Sequence, residues 1–101
     1  MALKINTELK NISDIAIPTA YARIAVVDNF KGNTIEGVAQ FYVSKEAYKE
    51  GKAEFNPIEV SQTFHFPYDR ATMSTDILDL AHDAYITYLA EHGVIAEKDL
   101  L

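Results

Sequence analysis

The clearest pattern along the chain lies in residues 58–66, where Ile58, Val60, Phe64 and Phe66 alternate with Glu59, Ser61, Thr63 and His65. A period of two sends successive side chains to opposite faces, so this segment reads as a strand with one buried face. Gln62 is the one polar residue on its apolar side, and Pro67-Tyr68-Asp69 closes it with a turn. The period then lengthens. Ile77, Leu80, Ala81, Ala84, Tyr85, Tyr88 and Leu89 recur at helical spacing, with Asp76, Asp79, Asp83 and Thr87 opposite them. Thr72 or Ser74 is placed to cap this helix, and Asp76 sits in its first turn, where the helix dipole favours an acid. His92 falls in the last turn, and Gly93 suits the left-handed residue that ends many helices.

Upstream, residues 19–27 and 34–44 are rich in β-branched and aromatic residues and read as two strands. The connection between them carries Lys31-Gly32-Asn33, a turn signal, so the pair reads as an antiparallel hairpin. In the first strand Ala20, Ala22, Ile24 and Val26 face one way and Tyr21, Arg23, Ala25 and Val27 the other. In the second, Ile35, Gly37, Ala39, Phe41 and Val43 oppose Glu36, Val38, Gln40 and Tyr42. Residues 44–51 break the β pattern. Ser44 can cap a helix of one or two turns that Gly51 ends; the alternative is a charged loop. Residues 1–16 alternate at first (Leu3, Ile5, Thr7, Leu9) and read as an edge strand or an arm that pairs with a neighbour. Residues 94–101 form a tail, docked or free. The expected fold is therefore α+β: one domain over 1–101, with an antiparallel sheet of three to four strands packed against one C-terminal α-helix.

Composition narrows the classes of function. The chain has 101 residues, 49% of them hydrophobic and 24% charged, which are globular values. Nine basic residues against fifteen acidic give a net charge of −6. Nucleic-acid phosphates demand a basic surface, so a nucleic-acid partner is not expected. Lys45, Lys49 and Lys52 cluster, but Glu46, Glu50 and Glu54 are interleaved with them. With no cysteine, the chain has no disulfide, thiol nucleophile or cysteine-ligated zinc. No apolar run approaches the ~20 residues that span a bilayer, and the N-terminus lacks the apolar core of a signal peptide. No membrane association is expected, and synthesis in a cytoplasm is.

Candidate chemistry is sparse. Asp79 and Asp83 lie four apart on one helix face beside His82. Two carboxylates and an imidazole suit a hard divalent ion or acid–base work, but such a site needs ligands from a second element, and none is identifiable. His65, His82 and His92 fall in separate segments and read as surface or capping residues. There is no Gly-x-Ser-x-Gly elbow and no glycine-rich phosphate loop. The expectation is a protein that is not an enzyme and holds no cofactor or metal.

The aromatic residues point to contacts instead. One helix covers only one face of a sheet. Tyr21, Val27, Val38 and Tyr42 then lie on the second face, which is too apolar for plain solvent exposure. Either a subunit interface forms there, or a terminal segment folds across it. Arg23, on the same face, pairs with Glu36 or Glu59 across the sheet or with a partner across an interface, where Arg and Tyr are enriched. The candidate interface is thus Tyr21, Arg23, Val27, Val38 and Tyr42.

Ala20-Tyr21-Ala22-Arg23-Ile24, Phe41-Tyr42-Val43-Ser44-Lys45-Glu46, Phe66-Pro67-Tyr68-Asp69 and Ala84-Tyr85 in a closing helix, after a Met1-Ala2-Leu3 start, resemble a group of small tailed-bacteriophage virion and tail-associated structural proteins. The stretch after Tyr85 and the longer segment from Lys45 to Glu54 depart from that group. The resemblance transfers no catalytic residue. It implies a virion structural subunit of a tail, baseplate or connector, made in the host bacterial cytoplasm, that forms homo-oligomers or docks on larger tail proteins. A soluble phage or bacterial adaptor or inhibitor module that binds a host protein is the alternative, since acidic charge suits a basic target.

Overall fold

The computed structural model describes residues 1–28, 32–69 and 76–99. Nine elements follow in chain order: β1 (Ala2–Ile5), β2 (Leu9–Lys10), β3 (Ala16–Ile17), β4 (Tyr21–Val27), β5 (Thr34–Tyr42), α1 (Lys45–Lys49), β6 (Thr63–Pro67), α2 (Ile77–Glu91) and β7 (Ala96–Asp99). Five of the strands form one antiparallel sheet in the order β6-β5-β4-β1-β7, and β2 and β3 pair as a separate small hairpin. The fold is α+β, with α2 packed on one face of the sheet. No described helix is long and apolar enough to cross a membrane.

The β4–β5 hairpin pairs Tyr21 with Tyr42, Arg23 with Gln40, Ala25 with Val38 and Val27 with Glu36, so the two faces divide as the alternation predicts. Gly32 takes φ +61°, the conformation its turn requires. Facing α2, Ala22, Ile24, Ile35, Ala39, Phe41, Phe64 and Phe66 make the core with Tyr85 and Leu89.

The sheet is wider than its three strongest strand signals indicate, because both termini join it. β1 is an interior strand between β4 and β7 rather than an edge, and the C-terminal tail becomes the edge strand β7. Residues Ala96–Asp99 are mostly charged and give no alternation of their own; pairing with β1 makes them a strand.

The strand expected over residues 58–66 starts later. Ile58 is exposed, and β6 begins at Thr63. The reason lies in α2. The Tyr88 hydroxyl accepts the Ser61 N–H at 2.7 Å, and the Tyr85 hydroxyl donates to the Ser61 carbonyl at 2.7 Å. The helix tyrosines thus take the backbone groups at Ser61 that a longer strand would offer to a neighbouring strand.

Asp76 is the N-cap of α2, its carboxylate accepting the Leu78 N–H at 3.0 Å; Thr72 and Ser74 lie outside the described residues. At the other end Gly93 has φ +76°, its N–H bonds to the Ala90 carbonyl, and the Val94 N–H bonds to the Leu89 carbonyl. This is a Schellman close, sealed by the buried pair Leu89 and Val94. Between these ends the buried side is rotated from the predicted stripe. Ala81, His82, Tyr85 and Leu89 are buried, whereas Leu80 and Ala84 are only half-buried. β1 and β7 extend the sheet on one side, and α2 turns to cover β7 as well as β4.

Candidate functional site

The second face of the sheet carries the five residues of the candidate interface, and α1 divides them. Ser44 accepts the Ala47 N–H at 3.0 Å and caps this short helix, as its position before the charged stretch indicates. The α1 residue Tyr48 lies over the sheet, with its ring 5.6 Å from that of Tyr21 and 5.0 Å from that of Tyr42. The Arg23 guanidinium carbon sits 4.9 Å from the centre of the same ring, within cation–π range. Lys45 reaches the buried Asp99 of β7 at 2.8 Å and ties α1 to the sheet edge. That carboxylate holds the Lys45 ammonium above its ordinary pKa.

Tyr21 is therefore only 3% exposed, and among the described residues the cover over its end of the face comes from α1. Arg23 makes no ion pair with Glu36 or Glu59 among the described residues; it lies on Tyr48, while the Glu59 carboxylate accepts the Lys10 N–H at 2.9 Å. Beyond the reach of α1 the face stays open. Val27 is 49% exposed, Ala25 is exposed, and Val38 is half-buried. Charges on the whole face balance: Lys4 and Arg23 stand against Glu36 and Glu97, and Lys45 against Asp99. In a chain of net charge −6 this neutrality sets the face apart.

The acidic pair on α2 already has a cation. Lys98 Nζ lies 2.8 Å from Asp79 Oδ1 and 2.7 Å from Asp83 Oδ1, and the two carboxylates hold the lysine above its ordinary pKa. The second element that a metal site would need is present as β7, but it brings an ammonium rather than a ligand. Among the described residues no three His, Cys, Asp or Glu side chains gather where a metal ion could sit.

The histidines separate by environment. His65 is exposed on β6, and His92 caps α2, its Nδ1 2.9 Å from the Tyr88 carbonyl oxygen. His82 corrects the surface reading: it is fully buried, with Nδ1 2.6 Å from the Leu78 carbonyl oxygen. A carbonyl only accepts, so Nδ1 donates to it, and Nε2 is buried with no hydrogen-bond partner among the described residues. His82 faces inward because α2 is turned toward β7, and nothing in the local sequence signals that rotation.

Two further features escape the sequence pattern. A groove of about 270 Å³ runs between α2 and the end of β6, walled by Phe66, Pro67, Leu80 and Ala84. The β2–β3 hairpin also presents Ile12 and Ile15, 74% and 59% exposed, at its turn. Compared with protein-family models, curated proteins and solved structures, the chain finds no match in any of the three.

Proposed function

We propose that the protein is a non-enzymatic structural subunit of a tailed-phage virion, a small tail, baseplate or connector component that works by binding further copies of itself and larger tail proteins. On this reading it is made in the bacterial cytoplasm and carried in the particle. One observation carries the proposal: Ala25, Val27 and Val38 leave an apolar patch on the open half of the second sheet face, and the charges of that face as a whole balance in an otherwise acidic molecule. Like copies of a chain with charge −6 repel one another, and contact through a face of balanced charge with an apolar patch minimises that cost. The order of the sequence motifs adds the phage context.

Sedimentation velocity on Val27→Asp combined with Val38→Asp tests the face directly. The expected outcome is a loss of the associated species formed by the parent protein at equal concentration. Unchanged association in the double variant, with intact circular dichroism, overturns the use of this face.

The excess of acid favours a second reading, an adaptor that binds a basic host protein. Mass spectrometry of purified particles separates the two, because a virion subunit is present in stoichiometric amount and an adaptor is absent.

A further inference from the structure

We infer that the β6 edge of the main sheet is closed against strand addition by a guard built on Ser61. β6 is the last strand in the order β6-β5-β4-β1-β7, so one row of its backbone groups points away from the sheet. Such a row pairs readily with a strand of another chain unless something blunts it. Here the hazard is marked. Residues 60–66, Val-Ser-Gln-Thr-Phe-His-Phe, contain no Asp, Glu, Lys, Arg, Pro or Gly and carry two phenylalanines, the composition of a segment prone to cross-β stacking. The register tells which residues form the row. The Ala39 N–H bonds to the Gln62 carbonyl and the Tyr68 N–H to the Asn33 carbonyl, each at 2.7 Å, so the even-numbered residues face β5. In an antiparallel ladder the residues between them face outward, here Ser61, Thr63, His65 and Pro67.

Three of these four positions are blocked. Ser61 gives its N–H to the Tyr88 hydroxyl, and its carbonyl accepts from the Tyr85 hydroxyl, each at 2.7 Å. The Ser61 side chain then occupies Thr63. Its hydroxyl donates to the Thr63 carbonyl at 2.9 Å and accepts the Thr63 N–H at 3.2 Å. One hydroxyl thus takes both groups that an incoming strand would use at that position. Pro67 has no N–H to offer, and proline at an edge is a common device against pairing. Among the described residues of the row, only His65 keeps both an N–H and a carbonyl without a partner. A single position gives an incoming strand too few bonds to offset the freedom it loses. The guard goes beyond the assembly reading and does not depend on it: whatever the sheet face binds, the β6 edge is withheld.

Ser61→Ala combined with Pro67→Val frees the row at Thr63 and restores an N–H at its far end. Sedimentation velocity and amide exchange by NMR compare this variant with the parent at equal concentrations, so that association through the sheet face is common to both. The expected result is a larger species that the parent lacks, with the Thr63 and His65 amides exchanging several-fold more slowly as concentration rises. The Phe64 amide, which faces β5, is the reference and does not change. A variant of intact circular dichroism that gains no such species, or gains one without slowing at Thr63 and His65, overturns the guard. Where the double change unfolds the chain, Ser61→Ala and Ser61→Thr are compared singly in dilute solution. The Thr63 amide is expected to exchange several-fold faster than in the parent with alanine and at the parent rate with threonine, which keeps the hydroxyl. A parent rate with alanine overturns the guard as well.

Discussion

Gly37 and Tyr85 show how single side chains set this core. Gly37 pairs with Phe64 across β5 and β6, and a Cβ at this position would overlap the Phe64 ring. That ring is held between Tyr85, 4.7 Å away, and Phe66, 6.0 Å away, so it has little room to yield. Gly37→Ala is expected to cost about 1–3 kcal/mol as overpacking, read as a lower urea midpoint. Tyr85 is fully buried, and burial, with a smaller contribution from Tyr88, raises its phenol well above the ordinary range. A group whose folded pKa is raised contributes stability that is complete below its unfolded pKa, about 10 for tyrosine, and lost as pH rises toward the folded value. Lys45 and Lys98, also raised, act in the same direction just above the lysine value of 10.5. Stability is therefore expected to fall as pH rises above about 10. Tyr85→Phe is expected to lower stability at neutral pH by about 1 kcal/mol through loss of its bond to Ser61, and to make the alkaline fall shallower. Urea titrations at several pH values check both effects.

Among the elements, α1 has the largest consequence for its size. Five residues close half of the second sheet face through Tyr48 and the Lys45–Asp99 pair. Tyr48→Ala is expected to cost about 1–2 kcal/mol and to expose Tyr21, which a rise in binding of an apolar dye reports. β7 is tied to α2 by Lys98, and all three charged groups are partly exposed, so Lys98→Met is expected to lower the urea midpoint only slightly, with the loss shrinking as salt is added. The β4–β5 hairpin, the caps of α1 and the Gly93 close were legible because each rests on local pattern: alternation, a capping serine, a glycine of positive φ. The edge strand β7 was not, because Glu97, Lys98 and Asp99 become a strand only through β1, nearly a whole chain length away. The rotation of α2 follows from that added width, so the full burial of His82 and the only partial burial of Leu80 and Ala84 lay beyond any helical stripe read alone.

On the scale of the whole molecule, the candidate interface read from the sequence was one continuous set, and packing splits it. Tyr21 lies under α1, Tyr42 and Arg23 contact Tyr48, and Val27 and Val38 stay on the open side. The sequence placed these side chains on one face but gave no sign of where a five-residue helix would land on it. Self-association, as proposed for this chain, is read from its solution mass by light scattering across a wide concentration range. The expected result is a defined multiple of the 11.3 kDa chain, or growth into longer assemblies as concentration rises. A mass that stays at one chain throughout would overturn self-association.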